Sequence, residues 1–547
     1  MRIKFPILVF FVLAMSGQRG IVVADNQVAV DKGAQVLQKG NAFDAAVTTA
    51  LVLGITHPQS SGIGGGGFAV FKNGDSVNSI DFREMAPGSF HPDVFLGEKS
   101  SKTGAWAVGV PGELAGLFEL HKGRGLLPWE DVVSPATKLA QEGFVVGSVL
   151  ANAIRLNSQS IMDDEGLRSI FAPNGELLKE GEICKRPNLA KTLKKLESGL
   201  ADFYGWDTAE RTVSFLNSKS GDFDLVDFES YETKYREPIK GDYHGFQIYS
   251  MPPPSSGGIA ILEMLGIFES SGLVFDESLN STRTFIHSMT HAFADRAAYG
   301  GDPDFSTIPT DRLLDRGLHK ALLTWSPREG PQPTRESGLA SIRGELPISN
   351  QNDDNGTTHF SILDKFGNAV ALTSTINLAF GAKMMDPETG IIFNNEMDDF
   401  AARPGVPNAF GLIQGEANSP DAKKRPLSSM SPTIVMEGED VYLALGASGG
   451  PRIITGTIQT LLRMLDGGMS PEDAIAIPRI HHQWLPTTVW HERKFSPGII
   501  KDLEEEGFVF KIGSSGVVQV AMFKDGKFGG AADSRKGAEV KVQAVDE

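Results

Sequence analysis

The first clear pattern of apolar and polar positions predicts two consecutive helices. Residues 28–39 are amphipathic and end at Gly40, a residue type common at helix C-termini. Asn41 can cap the next helix, with Asp44 near its positive end. Residues 45–53 are almost entirely apolar. We therefore expect the second helix to lie in the interior.

A β-hairpin is predicted between residues 357 and 377. Residues 357–363 and 369–377 alternate polar and apolar side chains, as half-buried strands do. A three-residue loop between them would place Gly367 at the left-handed position that such loops favour. In that register Thr357 lies opposite Thr375, and the two hydroxyls come within hydrogen-bond reach. Alternating strands and helices elsewhere indicate stacked sheet and helix layers.

The segment before this hairpin has the opposite character. Residues 326–356 carry several prolines and end in a polar run that leads to Gly356. Such a stretch buries little, so we expect it to be flexible and exposed. If the chain were cut between Gly356 and Thr357, the new α-amine could activate the Thr357 hydroxyl, because its pKa lies near 8. The local alternative is an ordinary edge hairpin with polar strands.

Composition narrows the class of partner. The chain of 547 residues has 51 basic and 68 acidic residues and a formal net charge of -17, which disfavours nucleic acid and anionic lipid. It has no apolar run long enough for a membrane span. A single cysteine, Cys184, excludes an internal disulfide and a cysteine-based metal cage. His481 and His482 have no acidic or cysteine partners beside them, so we expect no metal and no organic cofactor.

The N-terminus is typical of an export signal. Arg2 and Lys4 precede the apolar residues 5–15, and small residues follow at 14–16. We predict a signal peptide over residues 1–16 and a periplasmic or secreted mature protein. The alternative is a buried strand or a retained anchor.

Several motifs occur in one order along the chain and resemble one family closely. They are Asp81-Phe82-Arg83-Glu84-Met85-Ala86-Pro87, the glycines 64–67, residues 251–258, Ala294-Asp295-Arg296, Thr357-Thr358-His359-Phe360-Ser361, Thr375-Ile376-Asn377, Asn394 to Phe400, Lys424 to Pro432, Gly446 to Gly450, and Arg479 to Trp484. Together they resemble the gamma-glutamyltransferase (gamma-glutamyl transpeptidase, glutathione hydrolase) family, from about residue 19 to the C-terminus.

The resemblance implies a fold, a maturation and an activity. The fold would be α+β, a four-layer αββα sandwich of the N-terminal-nucleophile hydrolase type. The precursor would cut itself between Gly356 and Thr357 into a large subunit, residues 17–356, and a small catalytic subunit, residues 357–547. Thr357 would then attack glutathione or another γ-glutamyl compound and pass the glutamyl group to water or to an amino acid or peptide amine.

The resemblance also implies roles for individual residues. Thr375 would hydrogen-bond the nucleophile, and the backbone of Gly449 and Gly450 would hold the oxyanion. The alternative for this glycine pair is a tight connection between a strand and a helix. Three residues would bind the substrate α-carboxylate: Arg83, Ser428 and Ser429. Three others would bind the α-ammonium: Asn377, Glu396 and Asp399.

At two positions of the expected site, the residue in this chain can be compared with the residues that family members carry. Relatives carry Gln or Glu at the position of Glu396, so the ammonium site here should be more acidic. Phe410 lies in the expected lid loop, 404–424, where bacterial relatives often carry tyrosine, so a hydrogen bond that closes the lid would be lost.

Two alternative functions remain: an acylase of the same fold for glutaryl-type β-lactam side chains, and a non-catalytic periplasmic binding protein.

Overall fold

The computed structural model describes residues 17–323, 356–402, 405–537 and 540–546. The predicted signal peptide and the predicted flexible segment up to residue 355 lie outside these residues. The strands are β1 (Gln18–Ala24), β2 (Gly66–Asn73), β3 (Ser76–Phe82), β4 (Phe144–Val145), β5 (Ile183–Cys184), β6 (Lys234–Arg236), β7 (Ile239–Tyr243), β8 (Phe246–Ser250), β9 (Gly356–Asp364), β10 (Ala369–Asn377), β11 (Thr433–Glu437), β12 (Asp440–Ser448), β13 (Ile480–His481), β14 (Thr488–His491), β15 (Val509–Ile512), β16 (Val517–Lys524), β17 (Lys527–Ala532) and β18 (Ala544–Asp546).

Helices alternate with these strands along the chain. They are α1 (Gln27–Leu37), α2 (Ala42–Thr56), α3 (Glu113–His121), α4 (Trp129–Glu142), α5 (Ser148–Leu156), α6 (Ser158–Asp163), α7 (Glu165–Phe171), α8 (Pro187–Leu196), α9 (Ala201–Gly205), α10 (Asp207–Ser218), α11 (Leu225–Glu229), α12 (Gly257–Ser271), α13 (Leu279–Tyr299), α14 (Thr310–Leu313), α15 (Arg316–Leu322), α16 (Arg452–Leu465), α17 (Pro471–Ala476) and α18 (Pro497–Glu505).

Two large sheets form the centre of the fold. The first has the strand order β18-β1-β9-β10-β2-β3-β6 and the second β17-β16-β12-β11-β8-β7. Helices α1, α2 and α4 share one apolar core with the outer face of the first sheet. Helices α12, α13 and α16 share the other core with the second sheet and with the space between the sheets. The layers are therefore helix, sheet, sheet and helix, and the predicted αββα sandwich is confirmed.

The two predicted helices near the N-terminus are present. Helix α1 ends at Leu37, two residues before the expected end. Asn41 caps the start of α2, as the sequence indicated, and Asp44 completes a reciprocal capping box with it. Every residue of α2 is buried, so this helix forms the interior of its layer.

The β9–β10 hairpin has the predicted register. Thr375 pairs with Thr357, and Gly367 in the loop has a φ of 78°. The expectation of half-buried strands is wrong, because every residue of both strands is buried. Phe360 and Leu372 face the α1–α2 layer, whereas the alternate positions face the second sheet. The polar side chains thus lie between two sheets and not in water.

The glycine run 64–67, which leads into β2, is a site of close backbone approach. A Cβ atom on Gly64 would lie 2.1 Å from the Ile392 carbonyl oxygen, and one on Gly65 would lie 2.1 Å from the Thr375 carbonyl oxygen. Gly65 therefore lets the backbone pass directly beside one of the two hairpin threonines.

Among the described residues, no helix is both long enough and apolar enough to cross a membrane.

We predict that Gly65→Ala lowers the free energy of unfolding by at least about 2 kcal/mol, because the methyl group must displace the β10 backbone. Urea unfolding followed by circular dichroism measures this change. Gly97→Ala is the control, since a Cβ atom there meets nothing within 4 Å. Equal midpoints for the two variants would contradict the close approach.

Candidate active site

One cavity brings together almost all of the predicted site residues. It encloses about 300 Å³ of space that is open to solvent. Of the predicted residues, those lining it are Arg83, Thr357, Thr375, Asn377, Glu396, Asp399, Ser428, Ser429 and Gly450. Gly449 lies next to the cavity but does not line it. Residues far apart in sequence thus meet where the hairpin begins.

The hairpin threonines lie at the floor of this cavity. Their hydroxyl oxygens are 3.0 Å apart. Thr375 donates a hydrogen bond to the Gly356 carbonyl oxygen at 2.8 Å and accepts one from the Asn377 N–H at 2.9 Å. A threonine hydroxyl has a single proton to donate, so the Thr357 hydroxyl must be the donor to Thr375. Thr375 therefore contacts both the Thr357 hydroxyl and the carbonyl of the preceding peptide bond.

Gly356 belongs to β9, so the expected flexible segment does not include this residue. It pairs with Asn377, and a Cβ atom on Gly356 would lie 2.1 Å from the Asn377 carbonyl oxygen. Asn377 itself has a φ of 72°, next to an irregularity in the strand register. Glycine is therefore needed at 356 because two backbones meet there.

A cluster of charged side chains forms one wall. Arg83 pairs directly with Glu396 and with Asp399, and its Nη1 lies 3.9 Å from Glu84. Arg83 also donates to the carbonyl oxygens of Pro426 and Leu427. The resemblance divided these residues into one clamp for a carboxylate and another for an ammonium. The structure instead joins both clamps in one network.

The network contains more acid than base. Arg83, Glu84 and Glu396 are each at most 1% exposed, so the surrounding water screens them little. Burial raises the pKa of Glu84 to about 7, although Arg83 opposes this shift. Burial also raises the pKa of Glu396 well above its usual range, again against the effect of Arg83. Three carboxyl groups around one guanidinium favour a ligand that brings a positive charge.

The loop of Ser428 and Ser429 is held from behind by residues that sequence reasoning did not assign to the site. The Ser428 carbonyl oxygen accepts hydrogen bonds from the N–H and the hydroxyl of Ser256, at 2.9 and 2.8 Å. Arg296 Nε in turn donates to Ser256 Oγ at 3.1 Å. Ser256 and Arg296 both lie in motifs that carry the family resemblance, and this resemblance was the signal that could have assigned them to the site.

The glycine pair occupies the turn between β12 and α16. Gly449 and Gly450 have φ values of 132° and 54°, which side chains disfavour. Their carbonyl oxygens accept from the N–H groups of Arg452 and Ile453, at 3.0 and 3.1 Å. The pair therefore starts a helix that points its N-terminus toward the cavity, beside Thr357.

His359 lies between the sheets, two residues after Thr357. Its ring nitrogens contact Thr373 Oγ1 at 2.8 Å and Ser361 Oγ at 3.0 Å. Burial lowers the pKa of His359 to about 3. A neutral ring with both nitrogens in hydrogen-bonding contact has a packing role.

The expected lid segment covers the charged wall. Phe410 lines the cavity, and its carbonyl oxygen accepts from Gln483 Nε2 at 3.3 Å. Asn408 Nδ2 lies 3.4 Å from Asp399 Oδ1. Asn408 thus contacts the Asp399 carboxylate through its side-chain amide, while Phe410 offers an apolar surface to the cavity. In the described part of the chain, no three His, Cys, Asp or Glu residues are grouped so as to hold a metal ion.

Comparison with known proteins agrees with this geometry. The family model for Gamma-glutamyltranspeptidase matches residues 29–542. The chain is 39% identical over 538 residues to the glutathione hydrolase proenzyme of Escherichia coli (strain K12), covering 95% of this chain and 90% of that protein. The chain belongs to the gamma-glutamyltranspeptidase family. The resemblance that the motifs carried is confirmed.

Solved structures of this family and its neighbours share the architecture. The gamma-glutamyltranspeptidase of Helicobacter pylori is 32% identical, with a TM-score of 0.56, over 58% of this chain and 97% of that chain. The cephalosporin acylase from Bacillus halodurans has a TM-score of 0.82 over 99% of both chains, at 22% identity. At that identity, the second likeness concerns the fold alone.

The buried His359 should make stability depend on pH. Its pKa in the folded protein, about 3, lies below the ordinary 6.5, so the unfolded chain takes up the proton first. The resulting stability is complete above about pH 6.5 and is lost as the pH falls toward 3. We expect His359→Asn to reduce the loss of unfolding free energy between pH 7 and pH 5 by about 2 kcal/mol.

Urea unfolding at the two pH values measures this difference. His91→Asn, at an exposed position, is the control and should keep the wild-type dependence. An unchanged dependence in His359→Asn would show that His359 does not carry the effect.

Proposed function

We propose that this chain is a self-processing gamma-glutamyltransferase that cuts itself before Thr357 and then uses Thr357 as its nucleophile. The observation that carries the proposal is the contact of Thr375 with both the Thr357 hydroxyl and the Gly356 carbonyl oxygen. Cutting would yield a large subunit, residues 17–356, and a small subunit, residues 357–547, that stay associated. No metal or organic cofactor is needed for either reaction.

In the cutting reaction, the Thr357 oxygen attacks the Gly356 carbonyl carbon. The Gly356–Thr357 C–N bond breaks, the Thr357 nitrogen receives the proton that the hydroxyl gives up, and Gly356 is left as an ester on the Thr357 oxygen beside the new α-amine. Water then hydrolyses this ester, which leaves a carboxylate on Gly356 and restores the Thr357 hydroxyl. The Thr375 hydroxyl is suited to assist because it already donates to the carbonyl oxygen on which negative charge develops.

In turnover, the freed α-amine of Thr357 acts as the base. It takes the proton of the Thr357 hydroxyl as the oxygen attacks the γ-carbonyl carbon of the substrate. The amine part of the substrate leaves with that proton, and the glutamyl group remains as an ester. Water or another amine then removes it. The turn of Gly449 and Gly450, beside Thr357, is the candidate donor to the oxyanion.

The charged wall is suited to the free end of a glutamyl group. Arg83 can bind the α-carboxylate in a bidentate way, and Ser428 and Ser429 can add hydroxyl donors. The excess of carboxyl groups at Glu396 and Asp399 suits the α-ammonium. Since these groups already bind each other, the ligand would share them.

The relatives support glutathione as the donor class, because they are named glutathione hydrolases. Amino acid or peptide amines are the proposed acceptors, and the proposed location is periplasmic or secreted. The acid-rich wall argues against a glutaryl group, which has a carboxylate but no ammonium. A pure binding protein would need neither the paired hydroxyls nor a glycine before Thr357.

Self-cutting is tested with the protein expressed from residue 17, run on a denaturing gel and measured by intact mass. We expect two fragments, of which the smaller begins at Thr357. Thr357→Ala should remain one chain because it lacks the attacking oxygen, and Thr357→Ser should still be cut because it keeps the hydroxyl.

An uncut and inactive wild type would support the binding-protein alternative and overturn the proposed function. A cut at another peptide bond would remove Thr357 as the nucleophile.

Substrate recognition is tested with γ-glutamyl and glutaryl p-nitroanilides, which differ only in the α-ammonium. We expect the wild type to prefer the γ-glutamyl compound and Asp399→Asn to reduce the ratio of the two kcat/KM values at least about tenfold, since a charge-assisted contact is lost.

Asp398→Asn is the matched control, because the Asp398 carboxylate binds Ser101 and the Ala409 N–H and does not line the cavity. Its ratio should equal that of the wild type. A wild type that prefers the glutaryl compound would favour the acylase alternative.

A further inference from the structure

A lysine from the C-terminal segment contacts the proposed nucleophile. Lys536 follows β17, and its Nζ donates a hydrogen bond to the Thr357 carbonyl oxygen at 2.8 Å. The same ammonium pairs with Asp25 at 2.9 Å. Its side chain is only 7% exposed. A buried lysine therefore contacts the main chain of the residue that would become the new N-terminus.

The partner carboxylate is itself fixed. Asp25 follows β1, accepts a hydrogen bond from Thr358 Oγ1 at 2.8 Å and lies 3.3 Å from His57 Nδ1. Burial acts to raise the pKa of Asp25, but Lys536 and His57 outweigh this effect and hold it far below its usual range. The Asp25 carboxylate is thus ionised throughout the range in which an enzyme works, and its contacts with Lys536 and Thr358 tie the ends of β1 and β17 to β9.

This contact gains importance after a cut before Thr357. An intact chain holds Thr357 through covalent bonds on both sides. After the cut, the amino side is free to rotate, and the residue is held by its side-chain contact with Thr375, by the start of the strand pairing and by Lys536 at its carbonyl oxygen. Holding the carbonyl oxygen restricts rotation about the bond between Cα and the carbonyl carbon. Because the α-amine and the hydroxyl-bearing side chain are both attached to Cα, this restriction fixes the direction in which the two groups together face the cavity.

The charge of Lys536 acts on the same amine. Within one residue, the amine nitrogen and the carbonyl oxygen are separated by three covalent bonds, so the ammonium of Lys536 lies within roughly 6 Å of the amine. A positive charge at that distance opposes protonation of the amine. Asp25 pairs with Lys536 and accepts a hydrogen bond from the Thr358 hydroxyl, so its negative charge weakens this effect, whereas Lys536 is the member of the pair that contacts the main chain of Thr357.

Other ionisable groups also face this position. They are His57 behind Asp25, His359 on β9, Arg452 at the start of α16, and Arg83, Glu84, Glu396 and Asp399 in the charged wall. The charged wall lies across the cavity, and His359 is neutral, so Lys536 is the charge in direct contact with the main chain of Thr357.

We propose that Lys536 is a positioning residue for the Thr357 nucleophile, which orients the new N-terminal residue through its carbonyl oxygen and favours the unprotonated α-amine. This inference rests on the proposed function.

The test uses Lys536→Gln, which loses the charge, and Lys536→Arg, which keeps the charge and the donor. The pH dependence of kcat/KM is measured for the cut enzymes with γ-glutamyl p-nitroanilide. For Lys536→Gln we expect the acidic limb of the pH profile, where the α-amine becomes protonated, to move to higher pH by about one unit. We also expect kcat to fall roughly tenfold and KM to change less than about twofold. Lys536→Arg should restore the position of the limb.

Two further variants make the result specific. Lys541→Gln, at an exposed lysine of the same segment, should behave as the wild type. Asp25→Asn keeps Lys536 but removes the opposing charge, so its acidic limb should move down. If Lys536→Gln is not cut, Asp25→Asn provides the test. An acidic limb that moves to lower pH supports the inference, and one that stays in place or moves to higher pH overturns it.

An unmoved limb in the cut Lys536→Gln enzyme would overturn the inference and leave the proposed function intact. So would a loss of activity that Lys536→Arg does not reverse, since that would indicate packing alone. A wild type that is neither cut nor active would instead overturn the proposed function.

Discussion

The hydrogen bonds that join Thr357, Thr375 and the Gly356 carbonyl exist only if β9 and β10 pair in one register. A slip of one residue between the two strands would turn one of the two threonines to the α1–α2 layer and bring apolar side chains between the sheets in its place. The register is stabilised by burial on both faces, because Phe360 and Leu372 pack against helices while the alternate positions meet the second sheet. The polar floor of the cavity therefore depends on the apolar packing behind it.

The surrounding elements converge on this hairpin. β2 pairs with β10 through the glycines 66 and 67, and Gly65 lies against the Thr375 carbonyl oxygen. β3 ends just before Arg83, so the same sheet brings the guanidinium to the cavity. The second sheet contributes the turn of Gly449 and Gly450 at the end of β12. Several site residues thus lie where a strand of a sheet begins or ends, whereas Glu396 and Asp399 lie in a short 3-10 helix.

Local pattern was sufficient for the hairpin and its register, since loop length and alternation are short-range properties. The capping of α2 by Asn41 was equally local. Local pattern did not show that both faces of the hairpin are buried, because this depends on a second sheet formed by distant residues. The direct pairing of Arg83 with Glu396 joins residues 313 positions apart. The approach of Lys536 to Thr357 spans 179 positions and has no sequence motif of its own.

Both large sheets contain strands from either side of the junction at Thr357. In the first, β9 and β10 lie between β1 and β2, and in the second, β11 lies beside β8. A chain cut at this junction would therefore consist of two pieces, neither of which can complete a sheet alone. Folding would have to precede cutting, and unfolding of the cut protein would separate two molecules and not one. Its persistence would then depend on protein concentration and on the rate of unfolding, as for an obligate dimer.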